Sequence, residues 1–429
     1  MTLKKKKNMM PNIGREIETY LQREMLVLLR IAGELAAREG QEMYLVGGVV
    51  RDLIMGRFNL DIDLVVEGDA LALARQLAKV TNGKIITHSR FGTANFRQGT
   101  VSLDLVTARS ESYERPGALP TIVPGTIVGD LFRRDFSINA MAAHLDPVCF
   151  GELLDPYGGK SDIDRGLIRA LHKRSFRDDP TRIWRALRYE QRLDFRLEAD
   201  TENLLRRDLD MMNEVSADRL RHEIELILKE DYPEKVLSRA SELGVLQKIN
   251  LSLEDHVWLA ERFSQARQES PGSKPGTILY LSLLLWRLSA WEAGDFIERL
   301  KFRGAEARVL RDIPALKQVL PQIEEPGLLP STIYRLLEHH QPQIILAAIL
   351  TTESAMVKKR LELYLSDLRF VKPSLGGGDL KHMGVPVGRK LGWLMRALME
   401  ARLDGKVANM EDERELVLKW LGESKQRGD

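Results

Sequence analysis

Two aspartates with one residue between them, Asp61 and Asp63, offer the clearest chemistry in this chain. Residues i and i+2 of a β-strand face the same side, so both carboxylates would point one way while Ile62 faces the core. Two carboxylates this close are costly to ionise without a cation between them, and oxygen ligands suit Mg²⁺, which commonly also binds substrate phosphates. The plain alternative is a strand ending in two solvated aspartates, because short motifs match by chance. The pair therefore predicts magnesium-dependent chemistry on a nucleoside triphosphate.

A third carboxylate, Asp104, alternates with apolar residues in the strand-like stretch Val101–Thr107. If this stretch forms a strand next to that of Asp61 and Asp63, the Asp104 carboxylate can face the same side of the sheet as theirs. Three carboxylates from two strands would form a two-metal site, in which one ion activates the attacking oxygen and the other binds the triphosphate. Taken alone, such an aspartate is more often a charge at a strand edge.

A glycine pair, Gly47 and Gly48, joins an apolar strand at Tyr44–Val46 to the start of a helix. Glycine permits close backbone approach, and the free N–H groups at a helix start attract anions. Arg51, one turn into the helix, can reach the same anion. This junction therefore predicts phosphate binding beside the aspartates.

The composition is that of a globular protein with several domains. The chain has 429 residues, enough for two to four domains, and 44% of them are hydrophobic. The net charge of +2 neither requires nor excludes nucleic acid. The single cysteine, Cys149, excludes an intrachain disulfide and is typical of a reducing compartment. The eight histidines lack the spacing of a zinc site.

The apolar segments are too short to predict a membrane protein. The longest runs, Ile278–Trp286 and Ile344–Leu350, fall short of a spanning helix. Lys4–Lys7 place positive charge near the start, but the long apolar segment of a secretory signal does not follow. We therefore expect a cytoplasmic protein whose basic N-terminal arm is disordered and, as one hypothesis, contacts RNA.

The pattern of the chain changes near residue 150. Before that point, strand-like segments alternate with helical ones such as Asp69–Val80. Beyond about residue 160, apolar residues recur three and four apart, as in Ala217–Leu228 and Glu234–Leu246. These patterns predict an α/β domain followed by a helical half.

Five motifs follow one another in an order that resembles a known family. They are GGVVRD and DID, described above, then RRDFSINAM at Arg133–Met141, DPYGG at Asp155–Gly159 and DDPTRIWRALRY at Asp178–Tyr189. This order is similar to that of the class II tRNA nucleotidyltransferases, which include CCA-adding enzymes, separate CC-adding and A-adding enzymes, and bacterial poly(A) polymerases. The resemblance covers residues 44–228.

Arg133 and Arg134 are adjacent cations ahead of Asp135. Guanidinium groups suit triphosphates because their donors form a fork, although the same residues could be a surface pair that holds Asp135. The resemblance implies that this segment closes the nucleotide pocket, with Asn139 supporting it.

Asp178, Asp179, Arg182, Arg185 and Arg188 form a cluster in which charges recur every three positions from Asp179 onward. On one helix they would make an inclined stripe, which is usually a salt-bridged solvent face. The resemblance implies instead an amino-acid template, in which the aspartate and first arginine match the edges of cytosine and adenine while later arginines contact phosphate. A carboxylate accepts from an exocyclic amino group and a guanidinium donates to ring acceptors, which would select C and A over U and G.

Two departures from the common family pattern leave the product open. Asp178 stands where most members have glutamate, although Asp179, expected to read the base, is retained. The segment between Asp104 and Arg133, with PGALP at Pro116–Pro120, lacks the Gly- and Arg-rich loop that helps CCA-adding members switch from C to A. Addition of CC alone or of A alone therefore stays open.

Near the C-terminus, Gly376–Gly405 contains glycine-rich turns before helices, with Lys381, Arg389 and Lys390 beside them. Such turns can bind backbone phosphates. The segment resembles the family's tail, which would grip the tRNA elbow. An ordinary helix-turn-helix packing unit is the alternative.

Together these observations predict an α/β nucleotidyltransferase domain with a palm like that of polymerase β, followed by an elongated all-α half. The expected domains are an N-terminal helical arm (1–40), a palm or head (41–150), a neck with the template helix (151–230), a helical body (231–370) and a tRNA-binding tail (371–429).

The expected function is template-independent addition of C and/or A to the tRNA 3′ end from CTP and ATP, with release of pyrophosphate. Asp61 and Asp63 would bind Mg²⁺, with Asp104 as base or third metal-site carboxylate. The partners are tRNA, at its 3′ end and elbow, and the two nucleotides, and no stable protein partner is implied. A CC-only or A-only enzyme and a poly(A) polymerase that tails RNA with ATP are the alternatives. A non-catalytic RNA-binding protein on this fold would lack one or more of the carboxylates.

Overall fold

The structure is a computed structural model that describes residues 11–59, 61–88, 92–112, 121–249, 256–270 and 272–427. It forms two compact units: unit 1 comprises Met1–Glu230 and Lys235–Lys248, and unit 2 comprises Asp231–Glu234 and Ile249–Asp429. The finer division into five domains stays a prediction. The basic stretch Lys4–Lys7 and the PGALP segment at Pro116–Pro120 lie outside the described residues.

Unit 1 contains a mixed β-sheet. The strands are β1 (Glu42–Val46), β2 (Ile62–Glu67), β3 (Lys84–His88), β4 (Thr93–Gln98), β5 (Val101–Thr107), β6 (Arg109–Ser112), β7 (Thr121–Pro124), β8 (Ala142–His144), β9 (Leu153–Leu154), β10 (Leu167–Ile168) and β11 (Arg196–Leu197). Seven of them form one sheet in the order β3-β4-β5-β2-β1-β8-β9. In this sheet β2 and β5 pair in parallel, while β2 and β1 pair antiparallel. The parallel pairing of β2 with β5 places Asp63 directly beside Asp104.

Helices flank this sheet and continue beyond it along the chain. They are α1 (Gly14–Tyr20), α2 (Arg23–Arg38), α3 (Gly48–Ile54), α4 (Ala70–Thr81), α5 (Ile127–Phe132), α6 (Gly159–Arg165), α7 (Ser175–Asp178), α8 (Arg182–Leu193), α9 (Ala199–Arg207), α10 (Ala217–Leu228) and α11 (Pro233–Glu242). Helix α4 begins where Asp69 accepts hydrogen bonds from the N–H groups of Leu71 and Ala72. It ends at Asn82, which adopts a left-handed conformation with φ of 55°.

The first two helices share the hydrophobic core of the sheet. Ile17 of α1 and Leu29 of α2 are fully buried, and they belong to the same cluster as Leu45 of β1 and Leu64 of β2. Burial of this kind supplies most of the stability of short helices. The described part of the predicted N-terminal arm therefore packs as part of the core.

The described residues of unit 2 form helices joined by loops and no β-strand, as predicted. Its helices are α12 (His256–Gln268), α13 (Thr277–Leu285), α14 (Ala290–Arg299), α15 (Gly304–Glu324), α16 (Pro330–Leu337), α17 (Pro342–Thr351), α18 (Ala355–Ser366), α19 (Gly377–His382), α20 (Arg389–Leu403) and α21 (Met410–Arg427). The apolar run at residues 278–286 is the buried core helix α13. Among the described residues, no helix combines the length and the apolar character needed to cross a membrane.

Candidate active site

The three predicted carboxylates come together at β2 and β5, two neighbouring strands in the interior of the sheet. Asp63 of β2 lies directly opposite Asp104 of β5 in the parallel register, and Asp61 precedes the same strand. One carboxylate oxygen from each of the three lies within 4.8 Å of those of the other two. The amide of Asn95 donates to Asp104 at 2.6 Å and limits its rotation. The group can therefore hold a divalent metal ion.

Asp63 is the electrostatic centre of this group. Burial and the neighbouring charge of Asp61 raise its pKa from 3.8 to about 6, with Asp104 adding to the effect and Arg134 opposing it. The cause is that the folded chain brings like charges together in a partly dehydrated place. A bound cation would remove this repulsion.

Steric crowding explains why glycine is needed at position 47, in the junction between β1 and α3. Gly47 adopts a φ of 80°, and a Cβ added there would lie 2.7 Å from Nη1 of Arg134 and 3.6 Å from Oδ2 of Asp63. A side chain at this position would therefore strain the backbone and displace the arginine. Gly48 begins α3, so the strand passes into the helix beside the carboxylates, as predicted.

Arg133 and Arg134 are both held by a buried carboxylate that the sequence did not single out. Asp130 of α5 is fully buried and pairs with Arg133 at 2.7 Å and Arg134 at 3.0 Å. The alternative that this arginine pair holds Asp135 is wrong. Helical spacing of three and four residues brings Asp130 to both guanidiniums, whereas the side chain of Asp135 pairs with Arg185.

Asp135 is the centre of a buried network. Arg185 donates to it from Nε at 2.9 Å, and the Asn139 amide donates to it at 3.0 Å. Burial opposes ionisation, but Arg185, the Asn139 hydrogen bond and Arg182 together lower the pKa of Asp135 to about 2. Asn139 in turn accepts from Arg51 at 2.6 Å. The network thus connects α3 and the segment after α5 to α8.

The predicted single stripe on one helix is wrong. Helix α8 begins at Arg182, and Asp179 lies before it in an extended conformation. Oδ1 of Asp179 accepts from the hydroxyl of Thr181 and from Arg219 of α10, both at 2.7 Å. Arg182 donates to Ser175 at 2.8 Å and to the carbonyl of Arg133 at 2.6 Å. These contacts fix both side chains in orientation even though the helix does not include Asp179.

Two residues of the charged cluster at Asp178–Arg188 do not line the cavity beside Asp61 and Asp63 that is described in the next paragraph. Asp178 pairs with Arg174 at 3.3 Å. Arg188 is buried and lies 3.6 Å from Glu223 of α10. Helix α8 turns Arg188 towards α10, and nucleotide contact by Asp178 and Arg188 stays a prediction.

Most of the other candidate residues line one cavity of about 490 Å³, whose wall includes Asp61 and Asp63 but not Asp104. Those on its wall are Gly47, Gly48, Arg51, Asp61, Asp63, Arg133, Arg134, Asp135, Asn139, Asp179, Arg182 and Arg185. Nε of Arg134 is buried there and has no hydrogen-bond partner among the described residues. A strongly cationic wall beside three carboxylates fits a metal-bound triphosphate.

Several lining residues were missed by the sequence reasoning. Tyr189 and Arg192 follow Arg185 at four and seven positions, the spacing of one helix face. The guanidinium carbon of Arg51 lies 5.3 Å from the centre of the Tyr189 ring. Helical periodicity from Arg185 would have found both residues. No local pattern would have found Arg219, which reaches Asp179 from 40 positions along the chain.

The tail residues are placed within unit 2. Lys381 is exposed on α19, while Arg389 and Lys390 form the first turn of α20 after Gly388, whose φ is 134°. The helices have a small core of their own that includes Leu380, Leu394 and Leu398. A role in RNA binding stays a prediction.

Comparison with known proteins identifies the family. The poly A polymerase head domain matches residues 43–169, and the probable RNA and SrmB-binding site of polymerase A matches residues 194–256. The A-adding tRNA nucleotidyltransferase of Halalkalibacterium halodurans is 36% identical over 371 residues, which is 85% of each chain. The chain belongs to the tRNA nucleotidyltransferase family. The resemblance carried by the five motifs is thus confirmed.

Other relatives of this nucleotidyltransferase differ in product. The A-adding tRNA nucleotidyltransferase of Geobacter sulfurreducens is 33% identical over 93% of this chain, which spans 47% of that relative. The CCA-adding enzyme of Geobacillus sp. is 27% identical over 90% of this chain and 93% of the relative. Relatives with different products therefore share most of this chain.

Solved structures confirm the fold class. A CCA-adding enzyme in an apo form is 31% identical with a TM-score of 0.80, covering 96% of this chain and 99% of its own. The Thermotoga maritima CCA-adding enzyme complexed with tRNA is 30% identical with a TM-score of 0.74, covering 96% of this chain and 100% of its own. The nucleotidyltransferase thus has the α/β domain and helical half expected from its sequence.

Proposed function

We propose that this chain transfers a nucleotide from a nucleoside triphosphate to the 3′ end of tRNA and releases pyrophosphate. The observation that carries the proposal is the single cavity that joins the carboxylate group to the arginine wall. Similarity to tRNA nucleotidyltransferases over 85% of the chain supports the same reaction. No nucleic-acid strand is needed as template, because the protein itself presents groups that match a base.

Each part of the cavity has a role in this proposal. Asp61 and Asp63 would hold Mg²⁺, which supplies charge stabilisation for the triphosphate and the attacking oxygen. Asp104 would accept the proton of the tRNA 3′-hydroxyl. Arg133 and Arg134, held by Asp130, would bind the triphosphate. Catalysis would then consist of positioning and charge stabilisation by groups already in place.

Base selection is assigned to Asp179 and Arg182. Oδ1 of Asp179 is taken by Thr181 and Arg219, so Oδ2 would accept from the amino group that cytosine and adenine share. Arg182 is fixed by Ser175 and the backbone at Arg133, so one of its remaining N–H donors would meet a ring nitrogen. Uracil and guanine present the opposite pattern at these positions.

We propose addition of the terminal A as the specific activity. The A-adding relatives are 33% to 36% identical. CCA-adding and CC-adding relatives are 26% to 29% identical over most of their length, and the two CCA-adding enzyme structures described above are 30% to 31% identical. This difference supports A addition. A poly(A) polymerase that tails many RNAs is a second candidate, because the head-domain match is to the poly A polymerase family.

The products can be separated by one experiment. The protein is incubated with tRNA that lacks its last three, two or one nucleotides, with each nucleoside triphosphate supplied separately. We expect one A to be added only to tRNA ending in CC. Addition of C would indicate a CC-adding or CCA-adding enzyme, and long A tracts on unrelated RNA would indicate a poly(A) polymerase.

The tail and the cellular location complete the proposal. Lys381, Arg389 and Lys390 are exposed or half-buried cations that would bind the tRNA elbow. We assign a cytoplasmic location, supported by a composition with a single cysteine, Cys149. Fractionation of cells that express the full chain would test this location.

A further inference from the structure

The first aspartate of the carboxylate group lies beyond the hydrogen-bonded part of the sheet. Strand β2 begins at Ile62, which pairs with Leu103 of β5, and its pairing with β1 reaches only as far as Asp63. Asp61 is therefore outside both ladders, and it is exposed. Neither of its carboxylate oxygens accepts a hydrogen bond from the described residues. The strand pairing that orients Asp63 thus does not orient Asp61.

The side chain of Asn59 holds the backbone of Asp61. Oδ1 of Asn59 accepts from the N–H of Asp61 at 2.8 Å, a local bond that asparagine commonly makes two residues along the chain. The amide nitrogen of Asn59 donates to Oδ2 of Asp52 at 2.6 Å. An amide satisfies both partners, because a backbone N–H only donates and an ionised carboxylate only accepts. Asn59 therefore connects Asp61 to helix α3.

Asp52, the partner of Asn59 on α3, is itself fixed by a buried arginine. Nε of Arg51 donates to Oδ1 of Asp52 at 2.8 Å, and Nη2 of the same guanidinium lies 2.8 Å from that oxygen. Arg51 is only 4% exposed and also donates to Asn139 at 2.6 Å. A buried side chain with several hydrogen bonds has little rotational freedom. Asn59 thus holds Asp61 against a rigid part of the cavity wall.

We propose that Asn59 is a positioning residue that fixes Asp61 so that its carboxylate meets those of Asp63 and Asp104. Oxygens of these three carboxylates lie within 4.8 Å of one another. Asn95 fixes Asp104 by a bond to the carboxylate itself, whereas Asn59 bonds the backbone and leaves both Asp61 oxygens open to a cation. The proposal rests on the proposed function, because it takes these carboxylates to be the metal site for nucleotide addition.

The test compares Asn59→Ala and Asn59→Ser with the wild type in the full chain. Binding of Mn²⁺ without nucleotide is measured by calorimetry, with Asp61→Ala as the reference for the carboxylate site. Nucleotide addition, on the tRNA and nucleotide that the wild type accepts, is measured over a range of Mg²⁺ concentrations. Gln76→Ala is the matched control, because its amide also donates to a carboxylate, that of Glu39 at 3.2 Å, and neither residue lines the cavity.

We expect Asn59→Ala to bind Mn²⁺ about tenfold or more weakly, because residues that orient metal ligands commonly change metal affinity by this factor. A ligand that is not held in advance loses more conformational freedom when the ion binds. Half-maximal addition should need correspondingly more Mg²⁺, while kcat at saturating Mg²⁺ should return close to the wild-type value. Asn59→Ser should restore part of the affinity, because its hydroxyl accepts more weakly from the same N–H.

Three results would overturn the proposal. They are an unchanged Mn²⁺ affinity in Asn59→Ala, an equal loss of affinity in Gln76→Ala, and a fall in kcat that saturating Mg²⁺ does not reverse. Thermal unfolding in EDTA gives the stability of each variant. A lower midpoint for Asn59→Ala together with wild-type Mn²⁺ affinity would show that Asn59 only stabilises the fold. If Asn59→Ala does not fold, Asn59→Ser is compared with the wild type in the same way.

The Asp61→Ala reference separates this proposal from the proposed function. If the wild type binds Mn²⁺ more tightly than Asp61→Ala but extends no tRNA, the proposed reaction fails. Weaker Mn²⁺ binding by Asn59→Ala would then still establish the positioning role. If the wild type and Asp61→Ala bind Mn²⁺ equally, Asp61 holds no metal ion and the role of Asn59 fails with it.

Discussion

Changing Asp63 to asparagine should stabilise the metal-free protein at pH 8. In the folded chain the pKa of this carboxyl is raised from 3.8 to about 6, first by burial and then by Asp61. The ionised form is therefore less stable in the folded state than in the unfolded state. A shift of about two pH units corresponds to about 3 kcal/mol, and because the group is only partly buried we expect about 1–3 kcal/mol after solvent screening.

The raised pKa of Asp63 also determines how the stability difference between the wild type and Asp63→Asn changes with pH. A raised folded pKa means that the folded wild type binds more protons than the unfolded chain between pH 3.8 and about pH 6. The stability contribution of Asp63 is therefore fully present below pH 3.8 and is lost as the pH rises through 6. Asparagine does not titrate, so its advantage over the wild type should shrink by up to about 2 kcal/mol between pH 8 and pH 4.5.

The assay is thermal unfolding in EDTA at both pH values. For a unit of this size, 1 kcal/mol moves the midpoint by about 2–4 °C, so a gain of about 1–3 kcal/mol at pH 8 should raise the midpoint by about 2–12 °C. Asp164→Asn is the control, because it removes one carboxylate whose side chain is 62% exposed. Saturating Mg²⁺ should reverse the order, since a ligand at 100 times its Kd stabilises the wild type by about 2.7 kcal/mol.

Two results would refute this reasoning. If the wild type and Asp63→Asn have the same thermal midpoint at pH 8, burial and the neighbouring negative charges do not destabilise the ionised carboxylate of Asp63. If the variant is more stable by the same amount at both pH values, the difference arises from packing and not from charge.

Three further predictions concern the reaction. Asp61→Ala should lower nucleotide addition by about 10³-fold or more while tRNA binding is retained, because charge stabilisation at the reacting phosphate is lost; near-normal turnover would remove this carboxylate from the active site. Asp179→Ala should let UTP and GTP compete with ATP, since a good bidentate base contact contributes about 1–3 kcal/mol of discrimination, and a uniform loss with unchanged selectivity would show a structural role. Asp130→Asn should raise the KM for the nucleotide and destabilise unit 1 by about 3 kcal/mol, because two guanidiniums lose a buried partner; kinetics and unfolding together check this, and an unchanged KM would contradict it.

The sequence was sufficient wherever the relevant contact is local. Alternation along a strand predicted that Asp61 and Asp63 face one side, and the structure brings them within reach of Asp104. The glycine pair predicted the strand-to-helix junction, and Asp69 marks the start of α4. These predictions succeeded because residues within a few positions of each other determine them.

The same local reasoning failed at the template cluster. Charges at a spacing of three predicted one helix from Asp179, yet α8 begins at Arg182. Arg188 shares that spacing but is buried against Glu223. Spacing along a helix gives the face on which a residue lies, but the neighbouring helix decides whether that face lines a cavity or a core.

Only the tertiary structure decided which charges are partners. Asp135 and Arg185 are 50 positions apart and form a buried pair, and Arg219 holds Asp179 from α10. A sequence with 64 basic and 62 acidic residues allows very many such pairs. Which of them form depends on how the helices pack and how much water they exclude, because burial strengthens a charge pair and penalises an unpaired charge. The sequence by itself thus determined the family and predicted the group of three carboxylates, and helix packing determined the orientation of the groups that would read the nucleotide.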